Sequence, residues 1–171
     1  MPVGLHPTFD YSRKCFAQSD LVMIRKARIS DVGALQKLIN GFADRGDMLH
    51  RSLNDIYENL RDYFLVEMDG RTVACCALHV NWSDLAEVKA LAVADDAQGQ
   101  GWGRRLVNCC LDEARDLGIP RVFALTYKPE FFEKMGFTRV DKDDLPRKIW
   151  SECINCPKYP DCGEEALVRE V

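Results

Sequence analysis

No apolar run in the 171 residues reaches the roughly 18 needed to cross a bilayer, which excludes a transmembrane helix. The opening stretch from Met1 to Asp10 has neither a basic n-region nor an apolar h-region, so no secretory signal is expected and the chain reads as cytoplasmic. Positive charge is also scarce. The 23 Lys and Arg stand against 27 Asp and Glu, a formal net charge of -4, which argues against a nucleic-acid surface. With only 7 Pro and 11 Gly the chain is not low in complexity, and 47% hydrophobic and 29% charged residues describe an ordered domain. At this length one domain is expected, burying about 70% of the surface its unfolded chain would expose. Cysteine, at 8, is not scarce. Cys75-Cys76 falls in an apolar strand pattern and Cys109-Cys110 in a helical one, where neighbours are poorly placed to bridge each other, so reduced thiols acting as small hydrophobes are expected.

The periodicity gives a mixed α/β order without repeats. Residues 1–21 lack any pattern and are expected to form a loose arm ahead of a domain spanning 22–171. Val22 to Ala27 reads as a strand, and Ser30-Asp31 is placed to cap a helix whose stripe is Val32, Leu35, Leu38, Ile39 and Phe42, ended by Gly41 or Gly46. Ser52 and Asp55 form the acidic version of a capping box before Leu53, Ile56, Tyr57 and Leu60. Tyr63 to Met68 and Thr72 to Val80 make a hairpin, because Asp69-Gly70 supplies the positive φ values that a tight turn needs. Glu87 to Val93 is the next strand. A helix bearing Leu106, Val107, Cys110, Ala114 and Leu117 stops at Gly118, with Pro120 beyond. Val122 to Thr126 is a strand, Pro129 to Met135 a short helix closed by Gly136, and Phe137 to Val140 a strand. A helical piece near Arg147 to Cys153 and an extended one near Ala166 to Val171 complete the order.

Between the strand ending at Val93 and the helix that follows lie Gln98, Gly99, Gln100, Gly101, Trp102, Gly103 and Arg104. Three glycines in five positions let the backbone bend freely and approach a ligand without a Cβ in the way, and the helix N-terminus behind them adds free N–H groups and partial positive charge. Such a loop suits a pyrophosphate. A Walker loop needs Gly-Lys-Ser/Thr, but Arg104-Arg105 follow Gly103; a dinucleotide fingerprint needs a second spacer before its last glycine, which is missing here.

What remains is Q-x-x-G-x-G, with Gln98, Gly101 and Gly103 on the defining positions, and here the chain resembles the GCN5-related N-acetyltransferases from about Ile24 to the C-terminus. The resemblance implies an α/β fold (α+β mixed), with a central, mostly antiparallel twisted sheet of six to seven strands flanked by helices, and acetyl-CoA as co-substrate. It assigns the cofactor to Leu91, Ala92 and Val93, through backbone N–H groups on a splayed strand, and to Gln98, Gly99, Gln100, Gly101, Trp102, Gly103 and Arg104. Glu87 is the candidate base, drawing the amine proton through a water, against the plain reading of an exposed or salt-bridged glutamate. Many relatives place a tyrosine four residues before the Gly-Phe at the end of the short helix. Here that position is Phe132, beside the cofactor but without a hydroxyl. Thr126 or Tyr127 could donate the proton instead, or no acid is needed, since a thiol of pKa about 8.5 is already a fair leaving group. His79 is a weaker base candidate, better read as a structural polar residue.

His50-Arg51-Ser52-Leu53, Cys76 to His79, Trp82 to Glu87, Phe123 to Thr126 and Phe131 to Phe137 look like the acetyltransferase domain of amino-acid N-acetyltransferases, the N-acetylglutamate synthases of bacterial arginine synthesis. That resemblance implies L-glutamate as favoured acceptor, attacked directly in a ternary complex, with Arg51 on its carboxylate. Arg147 and Lys148, with Lys128 behind them, are candidates for a second cation. The plain reading of Arg51 is a surface arginine near a helix start. Longer synthases carry an amino-acid-kinase-like domain ahead of this one, and nothing comparable precedes Val22, so feedback inhibition through it is not expected. The expected partner is a small-molecule amino acid, with no nucleic acid and no membrane, and a homodimer is the candidate assembly. Alternatives are acetylation of glutamine, another amino acid or another amine, or a non-catalytic acyl-CoA or metal-responsive sensor.

The C-terminal segment 145–165 carries Cys153, Cys156 and Cys162. The Cys-x2-Cys clip offers two metal ligands and Cys162 a third, with Cys15 or His6 as a fourth from the arm; the other reading is a reduced or redox-labile loop.

Overall fold

Asp69 and Gly70 both take positive φ, 50° and 73°, as the tight turn demands, and close the hairpin of β2 (Tyr63–Met68) on β3 (Arg71–Trp82). The hairpin belongs to a computed structural model that describes residues 22–146, 153–154, 156–158 and 161–171. The arm predicted over 1–21 lies outside the described residues, as does most of the helical piece predicted near 147–153. Around the hairpin stand β1 (Val22–Lys26), β4 (Leu85–Val93), β5 (Arg121–Thr126), β6 (Thr138–Val140) and β7 (Glu165–Glu170). They form one seven-stranded sheet in the order β1-β2-β3-β4-β5-β7-β6. Only β4 and β5 run parallel; every other neighbour is antiparallel.

Strand alternation sends successive side chains to opposite faces, and helices cover both. On one face Ala74, Cys76 and Leu78 of β3 pack with Leu106, Val107, Cys110, Leu111 and Ala114 of α3 (Trp102–Asp116). On the other Cys75 and Ala77 pack with Leu35 and Ile39 of α1 (Val32–Ala43) and Ile56 of α2 (Leu53–Glu58). All seven described cysteines are free, and the strand and helix thiols are buried as small hydrophobes; burial pushes the Cys75 thiol up to about 12. Cys76 and Cys110, adjacent to different neighbours in sequence, bring their sulfurs to 3.7 Å across the β3–α3 contact. α3 ends in a Schellman motif: Ile119 N–H donates to Ala114 O and Gly118 N–H to Arg115 O, with Gly118 at φ 75°. α4 (Pro129–Glu133) begins on its proline, which fits the first helical turn.

Three local expectations change. The predicted stripes of α2 and α3 are too wide, since Leu53, Tyr57 and Leu117 are exposed, whereas Ile56, Leu60 and the residues up to Ala114 seal the core. Ser52 does cap α2, accepting from Asp55 N–H at 3.1 Å. Asp31 does not cap α1 with its side chain. A 3-10 turn over Ile29–Asp31 precedes the helix, and the Asp31 carboxylate instead accepts two bonds from the Arg25 guanidinium (2.6 and 2.9 Å) and one from Arg28 N–H (2.7 Å). Arg25 also reaches Glu67 on β2 at 2.7 Å, so one fork ties β1, β2 and the start of α1.

That fork has a pH signature. Arg25, chiefly through its hydrogen bonds, holds the Asp31 carboxyl below its usual range. A depressed carboxyl stabilises the fold above its unfolded value of about 4, and the contribution is lost as pH falls through the folded value. Asp31→Asn is therefore expected to cost about 1–3 kcal/mol at pH 7, with a smaller difference from the parent below about pH 3, measured by urea unfolding at both pH values.

Candidate active site

β4 and β5 pair at only three positions, Leu85 with Arg121, Ala86 with Val122 and Glu87 with Phe123. Past Glu87 the two strands part. On its other side β4 stays on β3, but the register slips so that Ala90 and Leu91 oppose the single residue Cys76, and Ala90 takes φ 52°. The bulge turns the last residues of β4 relative to its first ones, and the Cys75 thiol donates to Ala90 O at 3.4 Å. A cavity of about 680 Å³ occupies the opening, lined along β4 by every residue from Glu87 to Val93.

The backbone at the open edge sets Leu91 and Val93 apart from Ala92. Ala94 N–H donates to Val73 O on β3 (2.8 Å). Successive strand amides alternate in direction, so the Ala92 amide also points toward β3, where its backbone bonds the Cys75 sulfur, and those of Leu91 and Val93 point to the edge that β5 has left. Unpaired strand amides at that edge can hold the carbonyl and amide oxygens of an extended ligand arm.

The glycine loop closes one end of the opening. Gly99 and Gly101 take φ 75° and 83°, and Gly101 is the residue from which α3 starts. The first helical bond of α3 runs from Arg105 N–H to Gly101 O, so the amides of Trp102, Gly103 and Arg104 precede its ladder. Gln98, Gly99, Gly101, Trp102, Gly103 and Arg104 all line the cavity. Gln100 does not; its side chain accepts from Trp102 Nε1 at 3.2 Å. The Gln98 amide donates to Val93 O (3.0 Å) and Asp95 Oδ1 (3.2 Å), which pins the loop to the end of β4. Trp102 is buried and roots the loop in the core. A Cβ on Gly101 would touch nothing within 4 Å, so its requirement for glycine is conformational. One on Gly103 would meet Phe131 at 3.4 Å, ordinary contact. An alanine is thus compatible with the second position and strained at the first.

Glu87 sits at the other end, roughly 20 Å along β4, where the strands part. Across β3 it pairs with His79, whose Nδ1 lies 2.6 Å from Asp62 Oδ2. Arg51 also lines the cavity, its side chain only 15% exposed. Its backbone is fixed to α1, N–H to Asn40 Oδ1 (2.8 Å) and C=O from Gln36 Nε2 and Asn40 Nδ2 (3.1 Å each), and its Nη1 reaches Asp55 at 3.2 Å. Thr126, Tyr127, Lys128 and Phe132 also line the cavity. Thr126 Oγ1 accepts from Lys128 N–H (3.0 Å) and Tyr127 OH from Lys158 Nζ (3.0 Å), so each hydroxyl keeps its own proton to give. Burial pushes the Tyr127 phenol up against the opposing pull of Lys158. Phe132 is buried edge-on between Phe131 and Phe137, at 5.1 and 5.2 Å.

Arg147 and Lys148 lie outside the described residues. Lys128 and Lys142 do line the cavity, and the sequence held no signal for the second. Nor did it place Cys153, Cys156, Cys162 and Glu164 on the cavity wall, where they stand. Among the described residues no three His, Cys, Asp or Glu side chains are arranged to hold a metal ion, and no helix is long and apolar enough to cross a membrane.

A sequence profile described as the Acetyltransferase (GNAT) family matches residues 35–137. An uncharacterized N-acetyltransferase of Chlorobaculum tepidum is 38% identical over 146 residues, 85% of this chain and 94% of that protein. The amino-acid acetyltransferase of Mycobacterium tuberculosis is 37% identical over 140 residues, 80% of this chain and 79% of that protein. The structure of N-acetylglutamate synthase from Neisseria gonorrhoeae, complexed with coenzyme A and N-acetyl-glutamate, superposes with a TM-score of 0.80 at 31% identity, over 90% of this chain and 36% of that longer one.

The loop geometry makes a graded expectation. Gly101→Val is expected to weaken coenzyme A binding about tenfold or more, because a branched residue resists positive φ, whereas Gly103→Ala stays within about threefold of the parent, both read by calorimetric titration. With its parted strands, its glycine loop at a helix start and a matching profile over most of its length, the chain belongs to the GNAT family and is an acetyl-CoA-dependent N-acetyltransferase.

Proposed function

We propose that the chain transfers the acetyl group of acetyl-CoA to the α-amine of an amino acid, with L-glutamate the favoured acceptor, by direct attack within a ternary complex. The observation that carries this reading is the continuity of one cavity from the glycine loop, along the open edge of β4, to Glu87 and Arg51. A thioester held along β4 would present its carbonyl near the point where the strands part. An amino acid whose carboxylate meets the Arg51 guanidinium would present its nitrogen to the same point. Glu87 stands there to take the ammonium proton, directly or through a water, since a charged amine has no lone pair with which to attack. Amides at the β4 edge would steady the oxygen as charge develops on it. Tyr127, held protonated, or Thr126 would return a proton to the departing thiolate.

Glutamate offers a second carboxylate, and Lys128 and Lys142, which line the same cavity, would supply positive charge for it. Support for an amino-acid acceptor also comes from the name of the Mycobacterium tuberculosis relative and from the N-acetyl-glutamate in the gonococcal complex.

Thiol release from acetyl-CoA, assayed across the twenty common amino acids, is expected to give its highest kcat/KM with L-glutamate. A higher value with glutamine or another amino acid would move the acceptor assignment, and no release with any would refute amino-acid acetylation. In the same assay Arg51→Ala is expected to raise the acceptor KM about tenfold or more, and Glu87→Gln to lower kcat about 10²-fold at neutral pH, both with coenzyme A affinity retained. An unchanged acceptor KM in Arg51→Ala would remove the carboxylate contact.

A further inference from the structure

The thiols of the C-terminal segment are not used by acetyl transfer, yet Cys153, Cys156 and Cys162 all stand on the wall of the reaction cavity. Cys156 N–H donates to Cys153 O at 3.0 Å, closing a tight turn. Such a turn brings the first and fourth Cα atoms within about 7 Å, the range that a disulfide spans. Both residues are partly exposed, unlike the four buried thiols of β3 and α3. Cys162 is engaged elsewhere, its thiol 3.5 Å from Glu164 Oε2. The Cys156 sulfur accepts from Lys158 N–H at 3.4 Å, a donor able to steady negative charge on sulfur during attack. Lys158, two residues on, braces the cavity: its Nζ donates to Tyr127 OH at the end of β5 (3.0 Å) and to Gly46 O beyond α1 (2.6 Å).

We propose that Cys153 and Cys156 form a dithiol modification site on the acceptor wall, which a small-molecule disulfide oxidises to an intrachain disulfide that weakens acceptor binding. The Cys156 thiolate, its proton given to water, attacks one sulfur of the oxidant; the oxidant S–S bond breaks, one small thiolate leaves, and a mixed disulfide forms. The Cys153 thiol then loses its proton to water and attacks the Cys156 sulfur, expelling the second small thiolate. Two protein thiols are oxidised to one disulfide, and one small disulfide is reduced to two thiols. Burial, and after it the neighbouring Glu164, Cys162, Glu87 and Cys156, push the Cys153 thiol up, which fits it to the second, intramolecular step rather than the first. Closing the bond reshapes the turn that carries Lys158, and with it the brace on Tyr127. The effect on the acceptor rests on the assignment of this end of the cavity made above; the formation of the disulfide does not.

The test treats the reduced full chain with oxidised glutathione, followed by intact mass, peptide mapping and kinetics. The expected product is about 2 Da lighter, with a Cys153–Cys156 link that dithiothreitol reverses, and an acceptor KM raised about threefold or more while coenzyme A affinity is unchanged. Cys162→Ser should still form the link, whereas Cys153→Ser should stop at the glutathione adduct on Cys156. A persistent adduct on the parent chain, a link elsewhere, no reaction, or stoichiometric zinc on these thiols in the purified protein would overturn the dithiol site, and a link that leaves the acceptor KM unchanged would overturn its coupling to the acceptor. Failure of every amino acid as acceptor, with the link still formed, would count against the functional assignment alone, because mass and mapping read the site without activity.

Discussion

The separation of β4 from β5 after three paired positions is the constraint on which the rest of the site depends. A parallel pair that continued to the end of β4 would engage its edge amides with β5 carbonyls and leave no room between the strands. Instead the Ala90–Leu91 bulge turns the end of β4, and Phe131 and Phe132 of α4 line the cavity in the opening. Burying unpaired amides is costly, and an open edge lined by a cavity is the form in which such amides persist until a ligand bonds them. The strained Ala90, at φ 52°, belongs to that device.

Two ends of one strand then carry two kinds of chemistry. At its C-terminal end, left-handed glycines and the start of α3 give an anion site made of backbone, tied down by Gln98 and rooted by Trp102. At its N-terminal end the chemistry is made of side chains: Glu87 on the strand itself, and Arg51 held from α1 through its own peptide groups. A backbone site recognises what every acyl-CoA shares, whereas side chains discriminate among acceptors. That division would account for proposed cofactor residues clustering in one short segment while the proposed acceptor residues come from elements far apart in the chain.

The same division decides what could be read from the sequence. The glycine loop, the Asp69-Gly70 hairpin and the Gly118 helix end are local: each is written in consecutive residues whose backbone preferences leave little choice. Glu87 was named as the first residue of a strand predicted over 87–93, which in fact begins at Leu85, and Arg51 only through the family resemblance of its Arg-Ser pair. The strand separation was not legible, because a bulge opposite Cys76 and the register of β5 are set by packing between distant segments. Asp31 misled for a related reason, since a good capping residue was drawn off by a guanidinium from β1. Lys142, in a short 3-10 turn, and the thiols at 153, 156 and 162 belong to no apolar period that could have placed them on the cavity. Gln100, named with its motif neighbours, carries its side chain against Trp102.

The direct test of the parted-strand account is an amide chemical-shift titration of the full chain with coenzyme A. Large saturable shifts are expected at Leu91, Val93 and the segment from Gly99 to Arg104, with little change at Leu85 and Ala86, whose residues pair with β5. Saturable binding that leaves Leu91 and Val93 unmoved, or that shifts Leu85 and Ala86 equally, would contradict it.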